Sequence, residues 1–313
     1  SARKVLGEYI KEPLLIEMLL CPLMFYGSAK AHDMDFSQFV IMFKSIFYEG
    51  FCRPVEGVRL ILKKLVRKFK SLGGDLKLRA GVQSISVDGS RAVGVTLDDG
   101  TELEADRILS SAGSVETMRL CPEQSSTAEP PKPGEISFVE TIATLDCEPA
   151  ELGNSRTIVF YNNSDSFEYR PPTGPVDLTS GIICSPNNFE YSEPLNEGSV
   201  RITALANPDY WLNLPEGEYL SEKERWNDEI VEAAIKHVPD FRKHVIAHDM
   251  FTPRTIKKFT GHVNGCVYGA PEKNLDGTTG IQNLYLCGTD QGFLGIVGSM
   301  LSGISMANLH ILR

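Results

Sequence analysis

The chain has 313 residues, 42% hydrophobic and 23% charged, an ordinary globular composition with room for one large domain or two of common size. Its net charge of −10 argues against nucleic acid as a partner, because phosphate binding needs a basic stripe. The only basic cluster, residues 63–70 (KKLVRKFK), has apolar residues at helical spacing beneath it (Leu60, Ile61, Leu65, Val66, Phe69) and reads as the solvated face of a helix.

In chain order, residues 3–30 predict a helix broken near Pro22. The apolar stretch 13–26 carries Glu17 and two prolines and is too short to span a bilayer. It reads as a buried helix pair, with a lining for a lipophilic substrate or a patch dipping into a membrane surface as the functional alternative. Residues 35–51 predict an aromatic helix, with Phe36, Phe39, Phe43 and Phe47 on one stripe. A third helix, 57–71, is stopped by Gly73-Gly74. The period then changes to two. Strands are expected at 75–79, 82–87 and 92–97, with turns at 88–90 and 98–100. Residues 101–105 pair back, and 107–111 form a short strand ending in small residues.

Residues 122–135 are rich in Pro and Ser and read as a linker. Strands at 136–145, 156–161, 166–169, 180–184 and 199–206 predict a mostly antiparallel sheet with one apolar face. A helix over 219–238 turns Trp226, Ile230, Ala233, Ala234 and Val238 inward. Thr252-Pro253 reads as a rigid turn.

The end of the chain carries the strongest signal. The apolar run Leu284, Tyr285, Leu286, Cys287 stops at Gly288, and glycines recur at 292, 295 and 298 before a closing helix. Strand, glycine turn and helix N-terminus together let backbone N–H groups and a helix dipole face an anionic or electron-rich cofactor. No G-x-G-x-x-G follows a strand anywhere in the sequence. The seven cysteines are scattered, show no C-x-x-C and read as mostly buried free thiols of a reducing, cytoplasmic compartment. The six histidines have no ligand spacing with them, so no metal site is expected; His244 and His248, four apart, could share a helix face, but without a third ligand they read as two surface or core histidines.

Four stretches fall together in order: 51–85, 105–113 (ADRILSSAG), 251–270 (FTPRTIKKFTGHVNGCVYGA) and 283–303 (NLYLCGTDQGFLGIVGSMLSG). Together they resemble the phytoene desaturase, carotenoid isomerase and retinol saturase group of FAD-dependent oxidoreductases, related to the amine oxidases. The resemblance implies an α/β fold. It comprises a partial FAD-binding, Rossmann-like domain with a β-meander (51–121 and 276–313) and a substrate domain with an antiparallel sheet and helices (1–50 and 122–275). It implies that Val82 presents its backbone to the adenine and that Gly57 opens a helix beside the flavin. Ser111, Ala112 and Gly113 would pass close to FAD. Gly288, Thr289 and Asp290 would meet its ribityl-pyrophosphate region, and Gly292, Gly295, Ile296, Val297 and Gly298 would approach the isoalloxazine ring. Asp290 has an alternative role as a helix N-cap, and Tyr268 serves equally well as packed core or substrate wall.

The activity implied by the resemblance is that of an oxidoreductase that desaturates, saturates or isomerises carbon–carbon bonds of a hydrophobic, polyene or isoprenoid-like substrate. An amine oxidase-like activity, or a non-catalytic lipid- or partner-binding role, are the rivals. No catalytic acid–base residue stands out. The resemblance further implies an N-terminal βαβ nucleotide-binding unit that this stretch does not contain. The isolated chain is therefore expected to hold FAD weakly or not at all, to be inactive, and to self-associate through the apolar surface left open. Contact with the periphery of a membrane is also expected to be compatible with its surface.

Overall fold

The computed structural model describes residues 1–121, 130–193, 195, 197–292 and 294–312. Three sheets organise it. The first is an antiparallel meander of β1 (Val82–Asp88), β2 (Arg91–Leu97) and β3 (Glu102–Glu104). Its two tight connections place Gly89 (φ 59°) and Gly100 (φ 82°) in the left-handed region, which a side chain would oppose. The second is a parallel pair, β4 (Ile108–Ser110) beside β10 (Leu284–Leu286). The meander is tied to this pair: the Ala92 N–H donates to the Gln282 carbonyl, and the Gln282 N–H to the Ser90 carbonyl.

The third sheet has β6 (Ile158–Asn162), β7 (Ser180–Cys184), β8 (Gly198–Ala206), β5 (Ser137–Leu145) and β9 (Val245–Phe251), in that spatial order and antiparallel throughout. Period two sends alternate side chains to opposite faces. Val139, Ala143, Val200, Ile202 and Ile183 join a core with Trp211 and the helix α7 (Glu216–Ala234). Phe138, Leu205 and Ile182 join a second core with Leu20, Leu23, Met24 and Phe25. The sheet is therefore apolar on both faces, not on one as expected, because helices cover it from both sides.

The first helices follow local signals with one correction. The chain does not break at Pro22. It breaks between α1 (Ala2–Tyr9) and α2 (Pro13–Gly27), where Ile10 is extended, and Pro22 lies inside α2. Pro13 sits in the first turn of α2, where a missing N–H is harmless, and the Glu12 side chain accepts the Leu14 N–H. Asp35 caps α3 (Phe36–Phe43) by accepting the Ser37 and Gln38 N–H groups. A π-helical turn, Lys44–Glu49, continues it to Gly50. The expected phenylalanine stripe forms a ladder, with centroids 6.1 Å apart for Phe36–Phe39, 5.8 Å for Phe39–Phe43 and 4.9 Å for Phe43–Phe47.

Helix α4 (Val58–Ser71) opens at Gly57 as expected, but none of its residues is buried. Leu65 and Phe69, expected to face inward, are 41% and 47% exposed. Residues 75–79 form no strand: Arg79 has φ 56°, which interrupts an extended chain, and no ladder pairs them. Residues 166–169 form none either. The Phe167 N–H is taken by the Glu17 carboxylate, and the Tyr169 carbonyl accepts the His32 N–H, so their polar groups are satisfied outside a sheet.

Strand β9 gives no signal in the sequence because most of it is solvent-exposed and lacks an apolar alternation. His244 precedes it and His248 lies within it, so the two share no helix face; they pair with Asp146 and Glu224. Thr252-Pro253 is the start of α8 (Pro253–Thr260), with a capping box between Thr252 and Thr255, and not only a turn. The linker expected at 122–135 falls outside the described residues for 122–129; residues 130–135 have no regular structure. Among the described residues no helix is long and apolar enough to cross a membrane. The seven cysteines are free, and Cys52 is exposed, against the expectation of burial.

Candidate functional site at the ends of two parallel strands

Parallel strands leave their ligand sites at their carboxyl ends, where connecting loops diverge. Leu284, Tyr285 and Leu286 of β10 pair with Ile108, Leu109 and Ser110 of β4. Both strands therefore end at the same level. From β4 the chain runs through Ser111, Ala112 and Gly113 into α5 (Ser114–Arg119). From β10 it runs through Cys287 and Gly288 into a 3-10 turn, then past Gly292 to α9 (Gly295–Met306). A side chain on Gly288 would lie 3.7 Å from the Ser111 Cβ, so the two loops touch. Residues 111–114 and 288–290, far apart in sequence, thus meet.

The backbone along these two loops is unusual. Gly113, Gly288, Gly292 and Gly295 have φ of 109°, 80°, 129° and 73°. For Gly113 and Gly292 packing explains the glycine as well, since a Cβ would strike the Glu116 carboxylate in one case and lie 3.0 Å from Leu275 in the other. Among the described residues nothing lies within 4 Å of a Cβ built on Gly295, and the same holds at Gly57 (φ 73°). Their Cβ directions look into open space. Ile296 and Val297, in the first turn of α9, are 46% and 65% exposed, and Leu294 supplies no side-chain cap there. An uncapped helix N-terminus beside open glycine backbone fits a large electron-rich group laid against it.

Of the remaining expected residues, Gly57 and Val82 stand at the starts of α4 and β1, and Thr289 and Gly298 on the turn and helix after β10. Val82 begins β1 and is partly exposed. The Gly57 N–H donates to the Pro54 carbonyl at the start of α4. Thr289 is half-buried and Gly298 lies in the first turns of α9. The Gly288 N–H donates to the buried Ser302 Oγ at 2.7 Å, which pins the turn onto α9.

Asp290 is 1% exposed, and its carboxylate holds protein to protein. One oxygen accepts the Ser114 N–H at 2.7 Å and the Ser114 hydroxyl at 2.9 Å; the other accepts the Ala270 N–H at 2.8 Å. It does cap a helix, but that helix is α5, not the one next in the chain. Lys273 Nζ lies 3.5 Å away and donates to the Tyr268 carbonyl. Burial, only partly offset by Asp290, pulls the Lys273 ammonium below its usual range. Tyr268 packs edge-on against Phe138 in the second core and donates its hydroxyl to the Phe25 carbonyl.

Behind Gly113 lies a pair that the sequence does not reveal. The Glu116 carboxylate accepts the Val263 N–H at 2.7 Å and stands 3.4 Å from His262 Nδ1. The contact is an ion-pair approach and not an aligned hydrogen bond, and buried Nδ1 has no hydrogen-bond partner among the described residues. Glu116 raises the His262 ring above its ordinary value. Burial works against ionisation of Glu116, yet His262 and the Val263 N–H outweigh it and hold the carboxyl low. Nothing in sequence spacing marks two residues so far apart as partners.

A hollow of about 390 Å³ lies elsewhere, between α7 and the β5–β9 pair, lined by Ala143, Asn227, Val231, Arg242 and His248 among others. None of the glycine-loop residues lines it.

Residues 4–142 match the family described as Flavin containing amine oxidoreductase. The chain is 22% identical to a chloroplastic prolycopene isomerase of Daucus carota, over 98% of this chain and 52% of that protein. It is 25% identical to the Arabidopsis thaliana protein of the same name, over 98% of this chain and 53% of that one. It thus spans about half the length of the curated relatives it matches. Its fold is that of a solved oxidoreductase from Methanosarcina mazei, at TM-score 0.64 and 14% identity, over 98% of this chain and 68% of the other. Residues 4–142 are thus similar to the flavin containing amine oxidoreductases, and nearly the whole chain is similar to part of the prolycopene isomerases.

Proposed function

We propose that this chain is part of an FAD-dependent oxidoreductase acting on a hydrophobic, polyene or isoprenoid-like substrate by desaturation, saturation or isomerisation of carbon–carbon bonds. The observation that carries the reading is the pair of glycine loops at the carboxyl ends of β4 and β10, with the bare N-terminus of α9 beside them. In this reading residues 51–121 and 276–313 form the cofactor side, and 1–50 and 122–275 the substrate side. The amine oxidoreductase match stops at residue 142, whereas similarity to prolycopene isomerases runs through 98% of the chain, which favours a polyene over an amine.

When bound, FAD supplies the hydride-level chemistry. The residues of this chain hold and shield. Gly295, whose Cβ direction is open among the described residues, would let the backbone come close to FAD. The first turn of α9 would offer its N–H groups and the positive end of its dipole to the electron-rich ring. Gly57, at the start of α4, and Val82, at the start of β1, would border the same cofactor. On the substrate side, Tyr26 meets Phe51 at 5.5 Å and Phe160 at 5.7 Å, extending the phenylalanine ladder of α3 into an apolar wall. Burial pushes the Tyr26 phenol up to about 12, so it stays protonated and offers a hydrogen bond rather than a base. Exposed Leu14, Leu15 and Met18 on α2 suit the surface where a lipophilic molecule would leave a membrane.

The test is the absorbance spectrum of the full gene product that carries this chain. A bound flavin spectrum that bleaches with dithionite, together with turnover of a prolycopene-like polyene, is expected. A colourless, folded product that ignores added FAD would move the reading to a non-catalytic lipid- or partner-binding protein.

A further inference from the structure

The ladder between β5 and β9 closes at Leu145 opposite Val245. The next residues outward, Asp146 and His244, remain held together: the Asp146 N–H donates to the His244 carbonyl at 3.0 Å, and His244 Nδ1 lies 2.9 Å from Asp146 Oδ1. Cys147 is the next residue along the chain. One ligand atom from each of Asp146, Cys147 and His244 lies within 4.8 Å of the other two. We infer that these three side chains form a binding site for a borderline-soft divalent cation of the zinc class, independent of the flavin site.

The donor set is the first reason. Imidazole, thiolate and carboxylate together suit zinc better than calcium or magnesium, which take oxygen alone. Geometry is the second. In a tetrahedral zinc site the ligand atoms stand about 3.4 Å apart, so these donors need to move by roughly 1 Å or less to close on an ion. Backbone order is the third. The Cys147 carbonyl is pressed against Gly198, where a Cβ would collide with it. A capping box between Glu148 and Glu151 fixes the next turn. The ligands therefore sit on ordered chain at the end of a paired strand.

A surface Asp–His pair alone contributes little and has no need of a cysteine. Three protein ligands leave a fourth position for water, so the site would exchange its ion rather than bury it.

Cobalt(II) titration of the purified chain tests this. A near-ultraviolet sulfur-to-cobalt charge-transfer band that saturates at one equivalent and is displaced by zinc is expected. Cys147→Ser should abolish it, and His244→Ala should weaken binding at least about tenfold. Cys52→Ser, which removes the exposed cysteine, should leave it intact. X-ray absorption of the zinc-loaded wild-type chain should show one sulfur at about 2.3 Å with nitrogen and oxygen near 2.0–2.2 Å, and it needs no variant to fold. Absence of the band in the wild type, its survival in folded Cys147→Ser, or a zinc environment without sulfur would overturn the proposal.

Discussion

The Asp290 carboxylate accepts the Ser114 backbone N–H at 2.7 Å, across 176 residues of sequence. This bond joins the loop after β10 to the helix after β4. With the Ala270 N–H on the other oxygen, it locks three segments around one buried charge. Replacing Asp290 by alanine leaves two backbone donors and the Ser114 hydroxyl without their acceptor and the Lys273 ammonium without its counter-charge. We expect Asp290→Ala to lose about 3–5 kcal/mol in urea unfolding. Asp290→Asn, which keeps one acceptor oxygen, should lose clearly less. Equal losses would show that the hydrogen bonds are not what the carboxylate contributes.

Gly295 and Gly113 separate strain from ligand approach. Gly113→Ala must accept a left-handed φ of 109° and a collision with Glu116, so it should cost about 1–3 kcal/mol of stability. Gly295→Ala has open space and should cost about 1 kcal/mol from φ alone. In the full gene product the second variant should nevertheless reduce flavin affinity by tenfold or more, read by fluorescence quenching on titration. Unchanged affinity would remove α9 from the cofactor surface.

The Glu116–His262 pair sets a pH window. His262 is raised when folded, so its contribution is fully present below the unfolded value of 6.5 and is lost as pH rises through the folded value. Glu116 is lowered when folded, so its contribution is present above 4.5 and is lost as pH falls through its folded value. Asp290 and Lys273, the other charges near His262, act on it in opposite senses. The stability difference between wild type and His262→Gln should therefore peak between about pH 4.5 and 6.5 and shrink towards alkaline pH. A difference that grows above pH 8 would contradict the pairing.

Exposed apolar faces on α4 and α9 predict association of the isolated chain. Leu62, Leu65 and Phe69 on one helix, and Val297 and Leu301 on the other, lie open to solvent. Light scattering should show a mass that rises with concentration. Leu65→Gln combined with Val297→Gln should reduce it while changing unfolding free energy by less than about 1 kcal/mol, because neither residue is buried. A monodisperse monomer at all concentrations would show that these faces are not adhesive.

Much of this structure is legible in the chain because it rests on local rules. Asp35 before an aromatic stripe, Gly57 before an amphipathic run, the turns at Gly89 and Gly100, and the glycine series after Leu286 each act within a few residues. Strand β9 is not legible, since an edge strand with polar outward faces carries no alternation, and neither is the absence of a strand at 75–79, since a strand needs a partner as much as a pattern.

By itself, the sequence determined α3, α4, α7 and α9, the meander and the small-residue loops, together with a resemblance that implied a flavin fold. Those features arise from caps, period and left-handed glycine backbone, which neighbouring residues decide. Only tertiary structure decided that residues 111–114 meet 288–290, that the Asp290 carboxylate binds Ser114 and Ala270, and that Glu116 finds His262. It also brought Asp146, Cys147 and His244 together. Each of these pairings depends on which strands lie side by side, and that is chosen by burying both faces of the large sheet and aligning β4 with β10, not by any spacing along the chain.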